Sequence, residues 1–234
     1  MEFENRTVLI TGAAGNLGRV VAEAFAGRGA NLVLVDLQQE ALDRVFGAAD
    51  ARRLLAPTNL LEQAQLDATV QKAIERFRRI DVLANLAGGF RMGEAVHATS
   101  DATWNFLLDI NARTLLNAVR AVVPRMLAQG GGKVVNVGAF AAQKGAAQMG
   151  AYIAAKSAVI RLTETLAAEL RDKNINVNCV LPTIIDTPEN RAAMPDADPG
   201  RWVAPADLAN VIVFLASDAA RAIHGAALPV SGLS

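Results

Sequence analysis

The sequence predicts a single α/β domain with a doubly wound, seven-stranded parallel sheet and helices on both faces. Two observations support this prediction: short runs of Val, Ile and Leu recur along the chain, and longer segments with helical spacing separate them. Near-continuous apolar strands are typical of a parallel sheet that is buried on both faces. Strand–helix alternation indicates the doubly wound topology. The length of 234 residues suits one large domain, so we expect a single unit over 1–234.

The strands are placed on the apolar runs. In chain order, the predicted strands are 7–11, 31–35, 53–56, 81–85, 133–137, 176–181 and 227–230. The second run leads directly into Asp36, so a carboxylate stands at the end of that strand.

The helices are placed between the strands. A glycine turn after the first strand leads into a predicted helix over about 16–26. A second helical pattern has apolar residues at three- and four-residue steps, namely Leu66, Val70, Ala73, Ile74 and Phe77. Longer helices are predicted over 101–129 and 152–173. The longest irregular stretch, 186–201, lies in a predicted substrate loop at about 183–204, because long loops in compact domains are more often functional than not.

Composition excludes several classes of function. Lys+Arg and Asp+Glu are both 23, so the formal net charge is zero, which argues against a nucleic-acid binder and a polybasic membrane anchor. Cys179 is the only cysteine, so no intramolecular disulfide forms and a reducing compartment is expected. His97 and His224 lie far apart in sequence, which argues against a structural metal site. No secretory signal or membrane-length apolar segment is visible, and we expect a soluble, cytoplasmic protein.

The turn after the first strand is a candidate phosphate site. Gly12, Gly15 and Gly18 are spaced three apart, with Asn16 and Leu17 between the last two. Glycine allows a tight turn and close approach of the backbone to a pyrophosphate, and the following helix offers free N–H groups to that anion. By itself the trio also fits an ordinary strand-to-helix turn.

Asp36 predicts which dinucleotide binds. A carboxylate at the end of the second strand accepts hydrogen bonds from the adenosine ribose hydroxyls and repels the 2′-phosphate of NADP. Leu37 follows it, so no cation is available for that phosphate. We therefore expect NAD as the cofactor, with NADH preferred over NADPH; taken alone, Asp36 is also compatible with a solvated loop acid.

Tyr152 and Lys156 are a candidate catalytic pair. Tyr152 is the only tyrosine, and Lys156 follows four residues later, which places both side chains on one helix face. A nearby ammonium is expected to lower the pKa of the phenol, so that Tyr152 can donate a proton as a substrate is reduced. Without context, a pair at this spacing is usually a surface pair.

Together these features resemble the short-chain dehydrogenase/reductase family over essentially the whole chain, which implies a Rossmann-type fold. The resemblance also covers Asn85-Leu-Ala-Gly88 after the fourth strand. It implies that Asn59 and Leu60 contact adenine, and that Pro182 and Thr187 lie beside the nicotinamide. Ala87 and Gly88 are likewise implied to contact the cofactor.

The resemblance implies roles for two asparagines near the reacting end. Asn85 supports the centre of the sheet, and Asn111 holds a water that relays protons to Lys156. The family also pairs its long helices between subunits, so a homodimer or homotetramer is expected.

Two positions depart from the family pattern. The short members of the family usually carry glycine where this chain has Asn16. The family's catalytic serine is replaced by Ala139. Loss of one preorganised oxyanion donor costs about 3–4 kcal/mol, so the substrate is expected to be strongly electrophilic or to supply its own polar groups.

The dihydropteridine reductase branch of the family shows the same missing serine. The chain is similar to it around Gly138–Gly145, at Ala87-Gly88-Gly89-Phe90, and in the string Asp186-Thr-Pro-x-Asn-Arg-x-x-Met-Pro-x-Ala-Asp-x-x-x-Trp202. This resemblance implies that NADH reduces a quinonoid dihydropterin or a similar activated ring, on which Phe90 stacks. The residues expected to face the small-molecule substrate are Phe90, Gln148, Met149, Arg191 and Trp202.

Two other functions stay open at this stage. One is the oxidation or reduction of an ordinary alcohol or ketone, with a water or Gln148 in place of the serine. The other is an NAD-binding regulator without turnover. The presence of Tyr152, Lys156 and Asn111 argues against the regulator, because a non-enzyme has no chemical need for all three.

Overall fold

The computed structural model describes residues 1–234 and contains one seven-stranded, all-parallel sheet, as the sequence predicts. The strands are β1 (Thr7–Thr11), β2 (Asn31–Asp36), β3 (Arg53–Pro57), β4 (Val82–Asn85), β5 (Gly132–Val137), β6 (Ile175–Pro182) and β7 (Ala227–Val230). Their order in space is β3-β2-β1-β4-β5-β6-β7. The chain reverses direction across the sheet between β1 and β4, and ligands of open α/β sheets bind beyond the carboxyl ends of the strands at such a point.

Eight α-helices connect the strands. They are α1 (Asn16–Ala26), α2 (Gln39–Phe46), α3 (Gln63–Phe77), α4 (Asp101–Leu108), α5 (Thr114–Ala128), α6 (Gly150–Leu170), α7 (Pro188–Ala193) and α8 (Pro205–Ala216). The sequence patterns did not predict α2 or α8. The segment 186–201 was predicted to be irregular, but it contains α7 and a short 3₁₀ turn at Pro199–Arg201.

The core has two layers, one on each face of the sheet. Along β1, Leu9 belongs to one layer, whereas Val8 and Ile10 belong to the other. Successive strand residues point to opposite faces, so an unbroken apolar run supplies both layers. Residues of α3, α5 and α6 complete the first layer, and residues of α1 and α8 complete the second.

The helix predicted over 101–129 is interrupted near its middle. A π-helical turn at Asp109–Arg113 separates α4 from α5, and Asn111 lies within it. Single π-helical turns inside longer helices often occur at functional sites, because the change in hydrogen-bonding pattern frees backbone groups. No helix is both long and apolar enough to span a bilayer.

Candidate active site

A cavity of about 1010 Å³ opens at the carboxyl edge of the sheet. Its walls come from the turns after β1 to β6, together with the end of α4, the π-helical turn, the start of α6 and part of α7. The glycine turn lies at one end of this cavity and Tyr152 at the other, so a single cleft joins the predicted cofactor and catalytic residues.

The glycine turn has the geometry that a bound pyrophosphate requires. Gly12 has a φ of +65°, and a Cβ there would lie 3.0 Å from the backbone nitrogen of Ala87. A Cβ on Gly18 would collide with the carbonyl oxygens of Gly12 and Ala13. The two glycines therefore let β1, the loop after β4 and α1 approach one another closely.

Free backbone donors lie at the start of α1. The N–H groups of Asn16, Leu17 and Gly18 make no hydrogen bond within the chain. Gly15, which precedes them, is exposed and lines the cavity. The positive end of the helix dipole and these unpaired donors together favour an anion, so the turn fits the diphosphate of a dinucleotide.

Asp36 is held at the rim of the cavity by backbone donors. Its Oδ2 accepts a hydrogen bond of 2.9 Å from the N–H of Ala14, and its Oδ1 accepts one of 2.8 Å from the N–H of Leu37. Asn59 and Leu60, the predicted adenine contacts, line the same part of the cavity. The structure thus brings the glycine turn and the predicted adenosine contacts together.

Lys156 is buried at the opposite end of the cavity. Its Nζ donates a hydrogen bond of 2.9 Å to the carbonyl oxygen of Val137, at the end of β5. A Cβ on Gly88 would lie 3.1 Å from this nitrogen and 2.9 Å from Oδ1 of Asn111. Gly88 therefore allows the lysine and the asparagine to approach each other across the loop after β4.

Asn111 does not line the cavity but is hydrogen-bonded to the loop after β4. Its Nδ2 donates to the carbonyl oxygens of Gly89 and Leu107, each at 3.0 Å, and its Oδ1 accepts from the N–H of Gly89 at 3.1 Å. The side chain therefore fixes the loop after β4 against the π-helical turn.

The pKa of Tyr152 differs from the sequence-based expectation. Burial raises the pKa of the phenol to about 12, whereas the pairing with Lys156 was expected to lower it. Burial also lowers the pKa of the Lys156 ammonium to about 8. The expectation was wrong for the free protein, because the desolvation of the phenol outweighs the ammonium, which is hydrogen-bonded to Val137. Tyr152 is therefore a protonated phenol at neutral pH.

The wall around Tyr152 is apolar and aromatic. The rings of Phe90 and Tyr152 meet edge to face, with centroids 5.0 Å apart. Phe106, Phe140 and other apolar residues extend this wall; the further members are Ile110, Met149, Ile184, Ile185 and Met194. Ala139 lines the cavity with a methyl group, so no hydroxyl is available at the position of the family's serine.

Three residues expected to face the substrate lie away from the cavity. Gln148 is exposed, has a φ of 60° and is not part of the cavity wall. Arg191 is turned onto Asp186, with which it makes two hydrogen bonds of 2.6 and 2.7 Å. Trp202 is 7% exposed and is buried beyond the cavity wall, with its backbone against Gly232. Phe90 and Met149 are the two expected substrate contacts that do line the cavity.

Two residues implied to lie near the cofactor make structural contacts, and for Asn85 these agree with its implied support of the sheet centre. Thr187 caps α7, because its hydroxyl accepts a hydrogen bond of 3.2 Å from the N–H of Asn190. Asn85 donates to Oδ1 of Asn136 at 2.9 Å, and Asn136 donates in turn to Thr163 at 2.9 Å. This buried chain connects β4 and β5 to α6, the helix that carries Tyr152 and Lys156.

Sequence reasoning missed two aromatic residues of the cavity, Phe106 and Phe140. Phe106 lies within a predicted helix, and Phe140 lies within the segment that is similar to the dihydropteridine reductase branch. Their positions, near Asn111 and directly after Ala139, are the one feature that would have indicated a place beside the reacting end. Asn190 and Met194 reach the cavity only because the predicted irregular loop folds into α7.

Comparison with known proteins agrees with this geometry. A family model described as Enoyl-(Acyl carrier protein) reductase matches residues 12–232. The chain belongs to the short-chain dehydrogenase/reductase family. It is 32% identical to the 3-oxoacyl-(acyl-carrier-protein) reductase FabG of Thermotoga maritima, over 99% of this chain and 98% of that protein.

Two further proteins are similar to this short-chain dehydrogenase/reductase over nearly its whole length. The (2S)-((R)-hydroxy(phenyl)methyl)succinyl-CoA dehydrogenase subunit BbsD of Thauera aromatica is 34% identical, over 99% of this chain and 97% of that one. The crystal structure of carveol dehydrogenase from Mycobacterium avium in complex with NAD is 28% identical, with a TM-score of 0.88 over 98% of this chain and 97% of that one. The chain is thus an NAD(P)-dependent oxidoreductase with a Rossmann-like fold.

Proposed function

We propose that this enzyme uses NADH to reduce a flat, electron-poor ring carbonyl, such as a quinone or a quinonoid heterocycle. The observation that carries the proposal is the reacting end of the cavity, where the Tyr152 phenol is set among aromatic walls and Ala139 stands in place of a serine. The site offers a proton donor and an apolar wall with several aromatic side chains but lacks the family's second hydroxyl donor.

The preference for NADH rests on Asp36. Its carboxylate is fixed by the N–H groups of Ala14 and Leu37, so it cannot turn away from an approaching ribose without losing both hydrogen bonds. A negative charge held there disfavours a 2′-phosphate. When bound, the nicotinamide cofactor supplies the hydride.

The residues of the chain supply the proton and its surroundings. Tyr152 holds a proton on its phenol oxygen at neutral pH, as a donor to a reduced carbonyl must. Lys156 places a buried positive charge one helical turn away, which stabilises the phenolate left after proton transfer. Asn111 positions the loop after β4 that forms the adjoining wall.

Ala139 favours an activated substrate. A preorganised donor to a developing oxyanion contributes about 10²–10³ in rate, and this site lacks that donor. For an isolated ketone, the rate of reduction would fall by this whole factor. An electron-poor conjugated ring accepts a hydride more readily and spreads the resulting negative charge, so it depends less on the missing hydroxyl.

A quinonoid dihydropterin is one member of this substrate class. The sequence resemblance and Ala139 support it. Two of the residues expected to contact it, Arg191 and Trp202, lie outside the cavity, and the apolar wall offers few partners for the polar edge of a pterin. An apolar quinone therefore fits the cavity better.

A second candidate is an aryl ketone. The relative from Thauera aromatica is named for a dehydrogenase of a hydroxy(phenyl)methyl compound, and the aromatic cavity wall suits a phenyl ring. The enzyme would then operate on a less activated carbonyl and rely on a bound water in place of the serine.

Steady-state oxidation of NADH with a panel of acceptors tests the proposal. The panel contains a benzoquinone, a quinonoid dihydropterin, an aryl ketone and a 3-oxoacyl thioester, each with an enzyme-free blank. We expect the quinone to give the highest kcat/KM, and we expect Tyr152→Phe to lower it at least 100-fold, within the range of general acid catalysis. Turnover of the ketone or thioester alone, or a quinone activity that survives Tyr152→Phe, would overturn it.

A further inference from the structure

One hydrogen bond crosses the mouth of the cavity. Nδ2 of Asn16, in the glycine turn, donates to Oε2 of Glu189, in the first turn of α7, at 2.6 Å. The two residues are far apart in the sequence. Asn16 lies at the start of α1, beside the free N–H groups that fit a pyrophosphate, and the bond therefore spans the cleft next to that position.

Helix α7 has no other hydrogen bond to the glycine turn or to α1. The other hydrogen bonds of its side chains are local: Asn190 donates to the carbonyl oxygen of Ile185, and Arg191 pairs with Asp186. None of its six residues is buried. Segments with few buried contacts open locally at low free-energy cost, so the position of α7 depends on the contact through Glu189.

Asn16 stands at a position where short members of the family usually carry glycine. It stands in the first position of α1, is exposed, and its helical backbone does not require glycine. Glycine there would leave Glu189 without its partner. The asparagine side chain thus adds a bond across the cleft that the usual residue cannot make.

We propose that Asn16 and Glu189 form a catch that holds α7 across the dinucleotide cleft and slows the release of the cofactor. The inference rests on the proposed use of NADH, because it concerns the exchange of that ligand. Asn190 and Met194 of the same segment line the cavity, so opening of the catch withdraws part of the wall. Both residues are positioning residues, since they act on α7 rather than on reacting atoms.

The test is the dissociation rate of NADH, followed by stopped-flow fluorescence without any acceptor. We expect Asn16→Gly and Glu189→Ala each to raise this rate about threefold to tenfold, the range that one solvent-exposed hydrogen bond accounts for. We expect the double variant to match the single variants, because both remove the same bond. Glu189→Gln keeps an acceptor oxygen and should release NADH at nearly the wild-type rate.

Asp196→Ala is the matched control. Asp196 is an exposed carboxylate in the same loop and makes no hydrogen bond, so its removal should leave NADH release unchanged. Unchanged release in both single variants, or rate effects that multiply in the double variant, would overturn the catch. A wild-type chain that binds no NADH would overturn the proposed function itself, which is a distinguishable result.

Discussion

The buried ammonium of Lys156 determines how the rate of reduction is expected to depend on pH. Burial lowers its pKa to about 8, so the group is charged below that pH and neutral above it. We expect kcat for NADH-dependent reduction to fall as the pH rises through about 8, by about tenfold per pH unit, as for a single ionisation. We expect Lys156→Arg to be less active than the wild type. Because arginine stays charged, the decrease in kcat near pH 8 should be absent from its pH profile.

The measurement is a steady-state pH profile of both enzymes with saturating NADH. An identical decrease near pH 8 in Lys156→Arg would show that another group is responsible. Tyr152 does not produce this decrease, since burial raises the pKa of its phenol to about 12.

Gly88 lies against the side chains of Asn111 and Lys156, so adding even a methyl group at this position should affect activity. A Cβ there would lie 2.9 Å from Oδ1 of Asn111 and 3.1 Å from Nζ of Lys156, and at least one of them must move. We expect Gly88→Ala to lower kcat by about tenfold or more, because displacement of a catalytic group by a fraction of an ångström to 1 Å is costly. Gly145→Ala is the control, since a Cβ there meets nothing within 4 Å.

Both glycine variants are compared with the wild type for kcat and for thermal unfolding. A kcat of Gly88→Ala equal to that of Gly145→Ala would contradict the positions assigned to Lys156 and Asn111.

For individual residues, the position in the site could be predicted from the sequence more readily than the electrostatics. Tyr152, Lys156, Gly12 and Asp36 could be predicted because spacing along one helix or strand fixes where they lie. Their electrostatics could not: the pKa of Tyr152 depends on burial by residues far away in sequence. The places of Arg191 and Trp202 also depended on how a loop folds, which no local pattern specifies.

At the scale of elements, the strands were predictable and two helices were not. All seven strands follow from apolar runs, and their ends differ from prediction by one residue at most. The helices α2 and α8 were missed. Helix α8 is so apolar that it has little amphipathic periodicity. Helix α2 does have apolar residues at helical spacing, Leu42, Val45 and Phe46, but it has only eight residues, which is too short for the periodicity to indicate a helix.

The position of α8 in the core gives a prediction for stability. Ile212 is completely buried in the layer that α8 shares with α1. We expect Ile212→Ala to lower the free energy of unfolding by about 2–5 kcal/mol, because it leaves a cavity in a packed core. Asn210→Ala, on the exposed side of the same helix, should change it by less than about 1 kcal/mol. Equal effects in urea unfolding would argue against a buried α8.

At the scale of the whole molecule, the strand order brings the site together. The ends of β1 and β4 lie side by side because the chain reverses across the sheet between them, so the glycine turn faces the loop at Gly88. This topology could be inferred from strand–helix alternation. The closure of the cleft by α7 could not, since it depends on a contact between Asn16 and Glu189.

The exposed apolar side chains of α4 and α5 support the proposal of a homo-oligomer. Trp104 on α4 is 42% exposed, and Leu127 on α5 is 44% exposed. We propose that copies of the chain bury these residues against one another. Light scattering after size exclusion should give a mass of two or four times 24.6 kDa. A mass of one chain at micromolar concentration would contradict this proposal.

The most direct test of the proposed function is Ala139→Ser, because an activated ring substrate should make the serine dispensable. The quantity to measure is kcat/KM for a benzoquinone and for an aryl ketone, in the wild type and the variant. We predict that the added hydroxyl raises kcat/KM for the ketone by about tenfold or more, towards the 10²–10³ that one donor contributes. The value for the quinone should change by less than about threefold. A gain of the same size for both substrates, or a loss for the ketone, would contradict the proposed function.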